Sequence, residues 1–148
     1  MKKLFTLLTL VMLGITLFSQ TNKNYIAVGY YSICCGTASS QPVIDFVKKF
    51  EKKLRLKPFE MWIEDGLGKE GEYTLYIGTD NLNADQLKSF WNGLKMTASN
   101  QKKQRSKNGD GYVNVDDKLT PNATLKSIKA KPRTRISSLK KYDYREIN

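Results

Sequence analysis

The chain has 148 residues, 40% of them hydrophobic, a formal net charge of +11 at pH 7 and no histidine. Histidine is the commonest general base and the commonest metal ligand, and it usually activates a serine or cysteine nucleophile. Its absence argues against a conventional hydrolase, although catalysis by carboxylates alone stays open. The length is that of one ordinary domain. We therefore predict a single-domain protein that is not an enzyme and holds neither a metal nor another cofactor.

Residues 1–19 have the layout of a secretory signal peptide. Lys2 and Lys3 give a positive start, and the 15 residues from 4 to 18 carry no charge. That run is shorter than the roughly 20 residues a membrane-spanning helix needs. We expect cleavage between Ser19 and Gln20, export to the periplasm or the medium, and a mature chain without a transmembrane segment.

The mature chain begins with a strand, a loop and a helix. Residues 25–33 are rich in β-branched and aromatic side chains, which favour a strand. The loop 34–40 is made of small residues and ends in hydroxyls that can cap a helix, with Pro42 in the first turn. The helix predicted over 41–55 has one apolar face. Its members are Val43, Phe46, Val47, Phe50 and Leu54.

A hairpin, a second helix and a last strand follow. Residues 59–65 and 72–78 alternate in polarity and flank a glycine-containing loop, which is typical of a β-hairpin. Asn83 and Gln86 have the spacing of a capping box at the start of the second helix. After a turn, residues 112–115 predict a short strand.

The order β-α-β-β-α-β predicts a ferredoxin-like α+β sandwich, with both helices on one face of an antiparallel sheet. We assign the single domain to residues 20–117. Residues 118–148 carry a net charge of +7 and form a basic C-terminal extension that is partly disordered or packs on the domain. The remainder, 20–117, is only +2.

The sheet face opposite the helices is the first candidate site. Strand parity places Tyr31, Trp62 and Tyr76 on that face, as three ligand-binding aromatic residues. If the face is bare, these rings form a platform for sugar rings or a protein. If the C-terminal extension covers it, they form a second small core.

Charge and compartment limit the partner. An exported basic chain meets a glycan, an envelope component or an acidic protein rather than genomic nucleic acid. The leading interpretation is therefore an exported binding module that contacts its partner through aromatic residues and is held to it electrostatically by the basic tail.

Cys34 and Cys35 are the second candidate site, and the only cysteines. Their position between the first strand and the first helix resembles the thiol loop of heavy-metal-associated domains, which share the β-α-β-β-α-β order. The spacing here is Cys-Cys rather than Cys-x-x-Cys. The resemblance implies soft-metal or redox chemistry as the alternative function; the other interpretation is a pair with a packing role.

Two further motifs have alternative interpretations. Residues Ser106–Asp117 resemble the calcium loop of EF-hands and dockerin modules, with Asn108, Asp110 and Gly111 in matching positions but Ser106 where an aspartate is expected. The alternative is a glycine turn that leads into a strand. A group of acids falls on and around the hairpin, and we expect it to form a solvated face. These acids are Glu60, Glu64, Asp65, Glu70 and Glu72.

Overall fold

The computed structural model describes residues 23–104 and 111–146. The predicted signal peptide and its cleavage site lie outside these ranges. The described elements are β1 (Asn24–Tyr31), α1 (Gln41–Leu54), β2 (Met61–Asp65), β3 (Tyr73–Gly78), α2 (Ala84–Gln104), β4 (Tyr112–Val115), β5 (Thr120–Pro121), α3 (Asn122–Ala130) and β6 (Ser138–Lys141).

One open sheet organises the fold. Its strand order is β4-β1-β3-β2-β6, and the two-residue β5 pairs with the start of β1. Every pairing is antiparallel, including the β2–β3 hairpin, in which Ile63 lies opposite Leu75. The predicted α+β class is confirmed: six antiparallel strands and three helices form the described part of the chain.

The main core lies between the sheet and the helices α1 and α2. Phe90 of α2 is fully buried at its centre, and its ring centroid lies 5.5 Å from that of Phe46, 4.9 Å from Phe50 and 4.8 Å from Phe59. Helical spacing places these side chains on inward faces, while strand alternation turns Val28 and its neighbours towards them. The predicted apolar face of α1 contributes Val43, Phe46, Val47 and Phe50 to this core, whereas Leu54 at the end of the helix is exposed.

Local signals fix where the two long helices begin. The predicted capping box of α2 is present: the Asn83 N–H donates to Gln86 Oε1 at 3.0 Å, and the Gln86 N–H donates to Asn83 Oδ1 at 2.9 Å. At α1 the Gln41 N–H donates to the Ser39 hydroxyl at 3.1 Å, and Pro42 occupies the first turn. None of the described helices is long and apolar enough to cross a membrane.

The segment after residue 117 is part of the folded unit, because it contributes β5, α3 and β6. Leu125 and Ile128 of α3, three positions apart, pack on Tyr25, Ala27 and Tyr76 of the reverse sheet face. Of the two alternatives for this face, the structure therefore shows the covered one around Tyr76, where a second small core forms. Burial of two apolar side chains and the pairing of β6 with β2 hold the segment in place.

The end of the segment is also anchored on the main core. Tyr144 is buried, and its hydroxyl accepts a hydrogen bond from the Phe59 N–H at 2.9 Å while donating one to the Glu51 carboxylate. Glu51 also accepts from the Phe59 N–H at 2.8 Å. The C-terminal segment thus clasps both faces of the sheet.

Candidate functional site

The structure separates the three aromatic residues that the sequence placed on one platform. Tyr76 is 1% exposed beneath α3. Trp62 is partly buried; its Nε1 donates to Glu60 at 3.1 Å, and Lys129 Nζ lies 5.7 Å from its ring centroid. Only Tyr31 stays open, at 38% exposure. The three-residue platform is a wrong prediction because α3 covers the row that contains Tyr76 and Trp62.

Tyr31 has a different aromatic neighbour, Tyr112. The two residues lie opposite each other in the β1–β4 pairing, and their rings stack with centroids 5.0 Å apart. Tyr112 is also 38% exposed. The Tyr31 ring lies over Gly29, where a Cβ would come within 2.6 Å of the Tyr31 hydroxyl. Glycine at that position therefore allows the ring to lie against the sheet.

Strand β4 adds polar groups to the same face. Tyr112 and Asn114 are exposed, whereas Val113 and Val115 are buried, as alternation requires. Asp116 continues the exposed series, and its backbone N–H donates to the Ala27 carbonyl at 3.0 Å. The sequence did not predict Tyr112 among the ligand-binding aromatic residues, although its alternation with Val113 and Val115 places it on the face opposite to theirs.

Beside this pair, a carboxylate is buried within the sheet. Glu64 of β2 is 0% exposed and lies between Thr74 of β3 and Leu139 of β6. The Tyr76 hydroxyl donates to Glu64 Oε2 at 2.8 Å, and Arg133 Nε lies 3.4 Å from Glu64 Oε1. Glu64 Oε1 itself accepts no hydrogen bond from the described residues. The expected solvated position of Glu64 is therefore wrong.

Arg133 joins the buried cluster to the exposed tyrosine pair. Its Nη2 donates to the Tyr76 hydroxyl at 2.7 Å, and its side chain is 49% exposed. Burial raises the pKa of Tyr31; Asp116 and Tyr112 raise it further, and Arg133 lowers it. These effects place Arg133 and Asp116 within electrostatic reach of the Tyr31 ring.

We call the exposed group the tyrosine surface. It consists of Tyr31, Tyr112, Asn114, Asp116 and Arg133. Burial raises the pKa of Tyr76, and its hydrogen bond to Glu64 raises it further, so Tyr76 stays a protonated donor at neutral pH. The tyrosine surface thus combines two apolar ring faces with an amide, a carboxylate and a guanidinium.

A cleft of about 330 Å³ opens next to Tyr112. Thr37, Ser39 and Gln101 provide polar groups along its wall, and Gln101 Nε2 donates to the Ser39 carbonyl at 2.8 Å. The buried Gln101 Oε1 has no hydrogen-bond partner among the described residues. The volume falls in the lower part of the range of roughly 300–1,000 Å³ that is usual for small-molecule sites.

The cysteine pair lies in the exposed loop after β1. Cys34 and Cys35 are joined by a disulfide, with their Cα atoms 3.8 Å apart. Cys35 has φ +69° and Gly36 has φ +110°, so the chain reverses sharply at the bridge. Because the two sulfurs are bonded to each other, this state offers no thiolate to a soft metal.

The proposed calcium loop is described only in its second half, since residues 105–110 lie outside the described ranges. Gly111 packs against the Tyr31 carbonyl and Thr37, and Tyr112 begins β4. Asp117, the last residue of the calcium-loop resemblance, accepts a hydrogen bond from Lys95 Nζ at 2.6 Å. Across the described residues, no group of three or more cysteines and carboxylates could hold a metal ion.

Comparisons with known proteins give no further information on this site. No protein-family model, curated protein or solved structure matches the chain.

Proposed function

We propose that this chain is an exported, non-enzymatic binding module that recognises a glycan through the tyrosine surface. The observation that carries the proposal is the stacked pair Tyr31–Tyr112, in which each residue is 38% exposed. Aromatic faces pack against apolar groups, and the C–H face of a sugar ring is such a group.

The polar residues of the tyrosine surface fit the rest of a sugar. Asn114, Asp116 and Arg133 together supply acceptors and donors for hydroxyl groups. The adjacent cleft adds the hydroxyl of Thr37. A mostly apolar surface with a few well-placed polar groups, next to a cleft, has the usual composition of a ligand site.

The strand order supports a ferredoxin-like core for this module. Strands β1 and β3 lie in the centre of the sheet, flanked by β4 and β2, as the β-α-β-β-α-β interpretation requires. In this proposal β5, α3 and β6 are additions to the core. The exposed disulfide fits an oxidising compartment, and export follows from the signal-like residues 1–19.

The test is a binding screen with the mature chain. We expect isothermal titration calorimetry or affinity electrophoresis to detect binding to at least one member of a panel of neutral and acidic polysaccharides and soluble peptidoglycan fragments. Tyr112→Ala should weaken that binding about tenfold, since loss of a stacking partner removes about 1–1.5 kcal/mol. Met96→Ala, an exposed truncation on α2, is the matched control and should leave it unchanged.

Two results would disprove the glycan proposal. One is the absence of binding to every member of the panel. The other is equal binding by wild type and Tyr112→Ala, with thermal melts that show both proteins folded.

A second candidate is disulfide exchange at Cys34–Cys35, favoured by the exposure of both residues. A dithiol reductant attacks one sulfur, the second thiol of the reductant resolves the mixed disulfide, and the chain is left with two thiols while the reductant becomes a disulfide. Mass spectrometry after alkylation of the native protein should then show two labelled cysteines. A pair that stays unlabelled until the protein is denatured would rule this candidate out.

A further inference from the structure

Arg133 is held by two side chains that are themselves fully buried. Glu64 Oε1 faces its Nε at 3.4 Å, and the Tyr76 hydroxyl accepts from its Nη2 at 2.7 Å. Glu64 and Tyr76 are tied to each other at 2.8 Å. Because β2 and β3 fix both partners, the guanidinium has a set orientation at the edge of the tyrosine surface.

Much of the guanidinium remains available. A guanidinium has five N–H donors in a rigid fork, and only the groups towards Glu64 and Tyr76 have partners in the described chain. The side chain is 49% exposed, and it influences Tyr31 electrostatically. The outward part of the fork therefore faces solvent.

The burial of Glu64 is unusual for a carboxylate. Burying a carboxylate inside a sheet costs folding free energy. Proteins in which a buried ion pair is replaced by apolar residues of similar volume are often equally stable or more stable. Glu64 also leaves one oxygen without a hydrogen bond. Its position is explained if its role is to orient Arg133, because a carboxylate and a guanidinium align closely.

We propose that Arg133 is a preorganised carboxylate receptor and that the glycan bound on the tyrosine surface is acidic, with uronate groups. This inference rests on the proposed glycan-binding function. A planar guanidinium fork matches a carboxylate in a bidentate manner. The net charge of the chain is +9 once Lys2 and Lys3 are set aside, which attracts an anionic polymer.

The experiment compares two probes, trigalacturonic acid and its methyl ester, in which each carboxylate is replaced by an uncharged ester. The free acid should bind the mature protein about tenfold more tightly than the ester, in keeping with one charge-assisted hydrogen-bonded contact. Arg133→Gln should abolish this preference. Arg133→Lys, which keeps the charge but loses the fork, should retain only part of it.

Arg135→Gln is the matched control. It removes the same charge two residues away, from an exposed side chain outside the Glu64–Tyr76 cluster. The variant should therefore keep the preference of the wild type for the free acid over the ester. Thermal melts identify any variant that fails to fold. If Arg133→Gln is unfolded, the comparison of Arg133→Lys with Arg135→Gln decides the question.

Four outcomes would overturn the inference: equal binding of acid and ester, failure of both to bind, an equal loss of preference in Arg133→Gln and Arg135→Gln, or full preference in Arg133→Lys. Each of these leaves the glycan-binding proposal to be judged by its own panel and by Tyr112→Ala. A protein that binds neutral sugars through Tyr112 would keep the proposed function and disprove the acidic specificity.

Discussion

Two buried tyrosines allow a matched test of the Glu64 cluster. Tyr30 and Tyr76 are both essentially inaccessible to solvent, but only the Tyr76 hydroxyl has partners, namely Glu64 and Arg133. The Tyr30 hydroxyl has none among the described residues. Replacing each tyrosine with phenylalanine removes the same atom from two different environments.

The expected free energies of unfolding differ clearly. A hydrogen bond to a charged group contributes roughly 1.5–3 kcal/mol, and loss of the Tyr76 hydroxyl also leaves the Glu64 carboxylate with poorer solvation. We expect Tyr76→Phe to lower the free energy of unfolding by about 2–3 kcal/mol. Tyr30→Phe removes a buried polar group without a partner, so it should be neutral within about 0.5 kcal/mol or stabilising.

Urea denaturation followed by circular dichroism is the assay. With a urea slope of about 1–3 kcal/mol per molar for a domain of this size, the Tyr76→Phe midpoint should fall by about 0.7–3 M. An unchanged slope would confirm that the variant loses stability rather than changing its unfolded state. Equal destabilisation by the two substitutions would refute the assignment of Tyr76 as the structural link between Glu64 and Arg133.

Three further predictions concern other parts of the fold. The Ser138 hydroxyl donates a hydrogen bond to Asp65 at 2.6 Å and holds the pKa of that carboxyl below its ordinary value. Because the site is partly exposed, Asp65→Asn should lower the free energy of unfolding by less than about 1 kcal/mol at pH 7. In urea titrations this loss should vanish as the pH falls through 4 towards 2, where the wild-type carboxylate becomes protonated. Phe90→Ala should lower the free energy of unfolding by about 3–5 kcal/mol, measured in urea; a loss under 1 kcal/mol would contradict its central place in the core. Gly111→Ala would drive a methyl group into the Tyr31 backbone carbonyl, so we expect a loss of about 1–3 kcal/mol in a thermal melt, and an unaffected melt would disprove that close contact.

Local sequence signals predicted β1 to β4, α1 and α2, but not β5, α3 and β6. The capping box of α2 was legible because Asn83 and Gln86 satisfy each other's backbone groups within one turn. The face of α1 that packs on the sheet follows from the spacing of Val43 and Val47, since helical geometry alone determines which side chains share a face. Such features involve residues only a few positions apart.

The candidate site was harder to predict because its members meet only through long-range pairing. Tyr31 and Tyr112 are brought together by the β1–β4 register, and no local pattern encodes that pairing. Arg133 reaches Glu64 only because α3 and β6 return the chain to the reverse face of the sheet. Strand alternation correctly indicated on which face of the sheet Glu64 lies, but it could not indicate which residues cover Glu64 there.

By itself, the sequence determined the α+β class, the two long amphipathic helices, the parity of the central strands and the basic charge, because each follows from periodicity or composition. Only the tertiary structure decided that Leu125 and Ile128 would cover Tyr76 and leave Tyr31 open. The physical reason is that covering a sheet face depends on apolar surface contributed by a segment distant in sequence. A pattern of alternating residues shows that a face exists, but the free energy of burying that distant segment decides which part of it remains in contact with water.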